Sequence, residues 1–311
     1  MKLIRILEII LVFFCLFLSG GHLSAQEFGT HWISYPNADN SSEIWFRKTY
    51  ITYQKPSQAK ITIAATGHYQ IFVNERNISR EVLLPGPSDN AGTIQEMTFD
   101  ISNILREDSN TIAIWYAPDP QLHTDKQISL SYYGTSKYGQ PFYYQTGEDW
   151  SCKKACGYVT ANQEYLDNRS YDPSWKACTT EVTNWTSAVR STDVRQYPLR
   201  DNSYYHQGYK VTKILHPEMV FCDTNSITYR FPRQFTGWVR LTIRNAHSGE
   251  TIHLNNYTYI CNGRIDEQAC RRFTTDSQHD LVVEGDQYFQ TDQIQNIEGL
   301  VIQPDQNWAF E

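Results

Sequence analysis

Residues 227–244 read I-T-Y-R-F-P-R-Q-F-T-G-W-V-R-L-T-I-R, and the second half of this stretch decides the class of fold. Val239, Leu241 and Ile243 alternate with Arg240, Thr242 and Arg244. Successive side chains of a strand point to opposite faces, so the alternation predicts a strand with one buried and one wet face, as in an antiparallel sheet. The period recurs upstream: Ile61, Ile63 and Ala65 share one face, Tyr69, Ile71 and Val73 another, and Ile112, Ile114 and Tyr116 a third. Thr66-Gly67-His68 joins the first two of these, and Asn74-Glu75-Arg76-Asn77 reads as a hairpin turn. Only Asp100–Glu107 (D-I-S-N-I-L-R-E) reads as a helical turn, with Asp100 as its cap. The expectation is an all-β chain of two antiparallel β-sandwiches with almost no helix.

The strands fall into two blocks with a poorly periodic stretch between them. The predicted boundaries are a signal peptide over residues 1–25, a first sandwich over 26–147, a connector over 148–204 and a second sandwich over 205–311. Lys2 and Arg5 precede the apolar run Ile9–Leu18, and Leu23-Ser24-Ala25 supplies small residues before Gln26. Export to the periplasm or the extracellular space is expected. Cys15 lies inside the apolar run after Phe13-Phe14, which argues against lipid attachment. The connector carries Trp150, Trp175 and Trp185, so it reads as ordered and packed on both sandwiches. Without Lys2, Arg5 and Glu8 the chain has 25 basic against 33 acidic side chains, a balance that disfavours nucleic acid and anionic membrane surfaces.

Six cysteines remain after residue 25: Cys152, Cys156, Cys178, Cys222, Cys261 and Cys270. An oxidising compartment permits disulfides among them, with Cys261–Cys270 closing a hairpin loop as the first pairing to expect and free thiols as the alternative. Cys152-x3-Cys156 lacks the spacing of a zinc site, and no histidine pair accompanies it.

Beyond periodicity, residues 227–302 resemble the β-sandwich that precedes the catalytic barrel in bacterial α-L-rhamnosidases. F-T-G-W-V-R-L at Phe235–Leu241 and S-G-E at Ser248–Glu250 carry the likeness. W-F-R-K-T-Y at Trp45–Tyr50, A-T-G-H-Y-Q-I-F-V-N at Ala65–Asn74 and N-T-I-A-I at Asn110–Ile114 resemble the N-terminal, galactose-binding-like or jelly-roll sandwich of the same enzymes. In the connector, E-Y-L-D-N-R at Glu164–Arg169 followed by Trp175 resembles a further segment of the family. The resemblance implies structural roles for Glu164, Asp167, Arg169, Gly237 and Trp238, with a buried Asp167–Arg169 pair tying the connector to a sandwich. The chain departs from the family at Arg230-Phe231-Pro232, near Tyr257-Thr258 and at Ile297–Leu300. The sequence stops nine residues after Ile302, so a chain without that barrel is expected.

Glycoside hydrolysis needs two carboxylates flanking the bond, and the family's pair belongs to the barrel, so no residue here inherits a catalytic role. Sugar binding is the chemistry expected, from aromatic faces beside hydroxyl-binding polar groups. Tyr35 with Asp39, and Trp115-Tyr116 leading toward Asp119 and Asp125, are the candidates. Some related sandwiches hold a sugar through calcium, and Asp119, Asp125 and Asp89 are the oxygen ligands available for it; no other cofactor is expected. The expected function is that of a secreted, non-catalytic carbohydrate-binding accessory protein in the degradation of rhamnose-containing glycans. Its partner would be such a glycan, with no membrane span. The alternatives are part of a split α-L-rhamnosidase whose barrel is another chain, and a structural interaction protein without sugar binding.

Overall fold

The computed structural model describes residues 31–86, 94–119, 126–161, 163–191, 199–201 and 208–305; the expected export segment, Asp89 and Asp125 lie outside the described residues. The described residues form strands, turns and three short 3-10 segments, with no α-helix among them. Asp100–Glu107 forms turns where a helical turn was expected. Asp100 still caps, accepting the Ser102 N–H at 2.9 Å and its hydroxyl at 2.7 Å, while buried Ile101 and Leu105 fix the segment against the core.

Two sheets build the first sandwich. One centres on Gln127–Thr135, which pairs with Gln58–Ala65, and that strand in turn pairs with Ile94–Asp100. The facing layer runs Ser151–Val159, Ser42–Ile51, Ser109–Ala117, His68–Val73, all antiparallel. Ile44, Phe46, Ile61, Ile63, Ile71 and Ile114 fill the space between them. Gly67 is required where the chain turns: a Cβ there would stand 2.3 Å from the Ala117 carbonyl oxygen. Asn74 and Glu75 both take positive φ, which closes the two-residue hairpin that pairs Val73 with Arg76.

The facing layer continues past the first sandwich. Glu164–Asp167 pairs antiparallel with Ser151–Val159 on one side and parallel with Tyr257–Ile260 on the other. A single 15-stranded sheet therefore passes from the first sandwich through the connector into the second block. That block is organised around Ser226–Arg244, whose pairing with Asp276–Gly285 breaks register between Arg230 and Phe235. Pro232, which lacks a backbone donor, sits in the break. Beyond it, Gly237 approaches the last strand, Ile294–Pro304, so closely that a Cβ would meet the Leu300 carbonyl oxygen at 2.0 Å. Trp238 packs on Leu300 and Ile302, and its indole N–H reaches the Thr274 carbonyl at 2.7 Å.

The alternation seen in the sequence separates two cores. Ile44, Phe46, Ile112, Ile114 and Tyr116 enter the first sandwich, while Trp45, Ala113 and Trp115 on the opposite face enter a junction core. That second core also takes Trp175 from the connector and Phe235, Leu241, Ile252, Tyr257 and Phe273 from the second block. Trp150 belongs to the first core, and half-buried Trp185 packs at the junction. Among the described residues the six cysteines are free. The expected Cys261–Cys270 bridge is absent because the two thiols serve different cores: Cys261 is buried at the junction, and Cys270 packs against Trp238 and Ile302. Burial pushes the Cys152 and Cys270 thiols up to about 12, so both stay protonated.

Candidate functional site: the inter-sandwich junction and two surface patches

Charged residues in the junction core come from three separate parts of the chain. Glu43, 1% exposed, lies on the same face of its strand as Trp45, and its carboxyl accepts the Trp115 indole N–H at 2.7 Å. It lies across Gly157, where a Cβ would meet Glu43 Oε2 at 2.7 Å. Arg272, from the turn after Asp266–Cys270, places its guanidinium 4.7 Å from the Trp115 ring centroid. Glu164, 2% exposed, accepts the backbone N–H groups of Arg272 (2.7 Å), Phe273 (3.2 Å) and Thr274 (2.9 Å) and the Thr274 hydroxyl (2.7 Å). A carboxylate holding that many donors in a buried site is a strong structural clamp. Burial first, and the neighbouring Glu164 carboxylate second, push the Glu43 carboxyl up to about 8.

The aromatic residues around these charges are packed edge to face and face to face. Trp45 stacks on Trp175 with ring centroids 5.2 Å apart and planes 7° apart, and Trp115 stacks on Tyr171 at 5.7 Å. Arg47, also buried, donates to the Ala177 carbonyl at 2.6 Å and the Thr180 carbonyl at 3.2 Å, which fastens the connector to the first sandwich.

These facts correct part of the expected sugar site. Trp115 and Tyr116 are each 1% exposed, so neither ring is open to a sugar. Trp115 does lie on the face opposite Ile112, Ile114 and Tyr116, but the second block covers that face instead of solvent. Asp39 is exposed, whereas Tyr35 is half-buried against the first core, at the turn in which the Ala38 N–H donates to the Tyr35 carbonyl at 3.3 Å. Asp39 is heavily engaged, accepting Ser41 N–H, Ser42 N–H, the Ser42 hydroxyl, Lys126 and Lys154. Partial burial works against its charge, yet these donors, Lys154 foremost, hold its carboxyl far below the usual carboxylate range. Of the three expected calcium ligands only Asp119 is described, half-buried just past the Ser109–Ala117 strand. Among the described residues no group of three or more His, Cys, Asp and Glu side chains is placed to hold a metal.

Asp167 and Arg169 do pair bidentately, at 3.0 and 2.8 Å, but the pair is local and half-exposed, so it does not fasten the connector. It shapes the 3-10 turn Asn168–Ser170, where Asp167 also accepts the Arg169 backbone N–H at 3.0 Å. The fastening belongs to Glu164. The sequence also left unnamed a pair of open aromatic rings at one end of the first sandwich. Tyr53 is 95% exposed and Tyr138 is 75% exposed, and Gln54 donates to the Tyr138 hydroxyl at 2.8 Å. Both sit in loops flanked by turn formers (Gln54-Lys55-Pro56 and Ser136-Lys137 before Gly139), which is the local signal that marks them as surface rings.

Comparison with known proteins agrees with this architecture. Residues 54–204 match the α-L-rhamnosidase N-terminal domain. A curated α-L-rhamnosidase of Streptomyces avermitilis is 31% identical over 68 residues, covering 22% of this chain and 7% of that protein. Among solved structures, α-L-rhamnosidase from Dictyoglumus thermophilum superposes with a TM-score of 0.80 at 19% identity, over 89% of this chain and 36% of that one. The Aspergillus terreus enzyme gives 0.75 at 15% identity, over 88% and 36%. The Streptomyces avermitilis enzyme, solved with L-rhamnose, gives 0.74 at 17% identity, over 86% and 29%. The fold is therefore a β-sandwich arrangement also present in solved α-L-rhamnosidases. The chain is related to the N-terminal domain of α-L-rhamnosidases, and it spans about a third or less of the length of the relatives it matches. Among the described residues no helix is long and apolar enough to cross a membrane.

Proposed function

We propose that the chain is a secreted, non-catalytic accessory protein of rhamnose-containing glycan breakdown, contacting the glycan through surface aromatic residues. The observation that supports this most directly is the use of the buried carboxylates. Glu43 and Glu164 are sealed at the junction and committed to Trp115 and to the Arg272–Thr274 turn, where no glycosidic bond can reach them. The open rings of Tyr53 and Tyr138 beside Gln54 offer what a pyranose needs: an apolar face for its C–H side and an amide for its hydroxyls. The test pairs two assays. The purified chain should release no sugar from an aryl α-L-rhamnoside, yet be retained on rhamnose-bearing polysaccharide, with retention reduced in a Tyr53→Ala/Tyr138→Ala variant. Turnover that vanishes on changing a single carboxylate would overturn the non-catalytic reading, and retention unaffected by the variant would remove the tyrosines from it.

A second reading is favoured by one feature. Met219, Val220 and Phe221 are all more than half exposed on the strand Glu218–Cys222, with Val211 and Ile214 exposed on the preceding strand. An apolar strand open to water suits a chain that works docked against a catalytic domain, in the same or another polypeptide. Co-elution with such a domain, weakened by Phe221→Ser, would support this second reading.

A further inference from the structure

The junction brings two buried carboxyls close enough to repel each other. Two carboxyls, Glu43 from the first sandwich and Glu164 from the connector, lie beside one guanidinium, Arg272 from the second block. Glu164 must be an acceptor throughout, since it takes three backbone N–H groups and a hydroxyl. Glu43 takes one donor, the Trp115 indole. With Glu43 neutral, Arg272 and Glu164 cancel and the aromatic stack around them closes. With Glu43 ionised, a second negative charge stands beside Glu164 in the same buried volume, which a low-dielectric core resists by loosening or admitting water.

The groups facing Glu43 from every side are few. Glu164 raises the cost of its ionisation, while Arg272 and the Trp115 N–H lower it. Lys126, before the strand Gln127–Thr135, lowers it too, but its ammonium is held by Asp39 and the Ser42 carbonyl. Cys156, from Ser151–Val159, also faces Glu43, and burial keeps its thiol protonated. Tyr257 faces the Glu164–Arg272 side of the junction, and burial keeps its hydroxyl protonated as well.

We propose that Glu43 is a pH-sensitive latch between the two sandwiches: protonated, it keeps the Trp115–Arg272 contact closed, and ionised, it loosens the Arg272–Thr274 turn from Glu164. The latch is local. A separate tie, the backbone bridge between Val82 and Tyr209, keeps the blocks together when it opens. The neutral range includes pH 7, because burial and Glu164 push the Glu43 carboxyl up to about 8.

Amide hydrogen exchange across pH 6 to 10, corrected for base catalysis, tests it on the full chain. Exchange at Arg272, Phe273 and Thr274 should rise roughly tenfold with a midpoint near 8 in the wild type and stay flat in Glu43→Gln, which keeps the indole acceptor without the charge. Isotope-edited infrared spectroscopy of the wild type supplies a second readout that needs no variant. A protonated carboxyl band should be present at pH 6 and disappear over the same interval. A carboxyl already ionised at pH 6, or an exchange midpoint unchanged in Glu43→Gln, overturns the proposal.

Discussion

The junction and the loop end of the first sandwich carry the same kinds of side chain and use them in opposite ways. At the junction, Trp45 stacks on Trp175 and Trp115 meets both edge to face, and the polar groups beside them are turned inward. At the loop end, Tyr53 and Tyr138 face water, with the Gln54 and Ser57 side chains bridging between their loops. An aromatic residue next to an acid or an amide thus says nothing by itself about ligands. What separates the two regions is whether a later part of the chain returns to cover the ring.

Removing Trp115 is the strongest way to test that contrast. Trp115→Ala should cost about 3–5 kcal/mol of stability by emptying a packed core, read as a shift of the denaturant midpoint. A variant as stable as the wild type would mean that the junction is not the core described. Glu164→Ala should follow, at about 3 kcal/mol, because it leaves several buried N–H donors without an acceptor, whereas Asp167→Ala, which breaks a half-exposed pair, should cost under about 1 kcal/mol. Equal costs for the two would contradict the assignment of the clamp to Glu164.

The pH dependence comes next and has a defined sign. Glu43 titrates near 8 when folded against an ordinary value of 4.5. Between these values the unfolded chain has lost the proton that the folded chain keeps, so its contribution is complete below the ordinary value and is lost as pH rises toward 8. The slope should be at most about 1.4 kcal/mol per pH unit, flat beyond either limit, and absent in Glu43→Gln. Asp39, held below its ordinary value of 3.8, works in the opposite sense: its contribution is present above that value and fades as pH falls. Denaturant melts from pH 4 to 9 would resolve the first effect. The smallest effect belongs to the loop end, where Tyr53→Ala and Tyr138→Ala should each change stability by less than about 0.5 kcal/mol while altering glycan retention. A large loss of stability there would make those rings part of a core after all.

Much of this fold was legible because strand periodicity is local. The alternation at Ile112–Tyr116 and at Val239–Ile243 named the inward faces correctly, and Asn74-Glu75 announced the hairpin that its positive φ angles make. The misplaced residue, Trp115, shows what a local pattern omits. Parity put it on the opposite face from Ile114, but only the return of the chain at Tyr171, Trp175 and Phe273, far downstream, determines that this face is dry. The Glu164 clamp was hidden for the same reason, since its partners are backbone groups that carry no side-chain signature. The Asp167–Arg169 pair was visible as a pair because two residues separate nothing in sequence, yet its exposure depends on the surface around it. Tyr53 and Tyr138, which the sequence reading did not single out, carry a local surface signal in the nearby turn formers Pro56 and Gly139.

The strand Glu164–Asp167, only four residues long, completes the edge of one block and starts the edge of the other. Such a strand makes the two blocks poor candidates for independent exchange during evolution or engineering. A recombination point on its N-terminal side would leave the second block without its neighbouring edge, and one on its C-terminal side would leave the first block with an open, pairing-competent edge. Inheritance of the two sandwiches as one cassette, with the connector inside it, follows from that single shared strand.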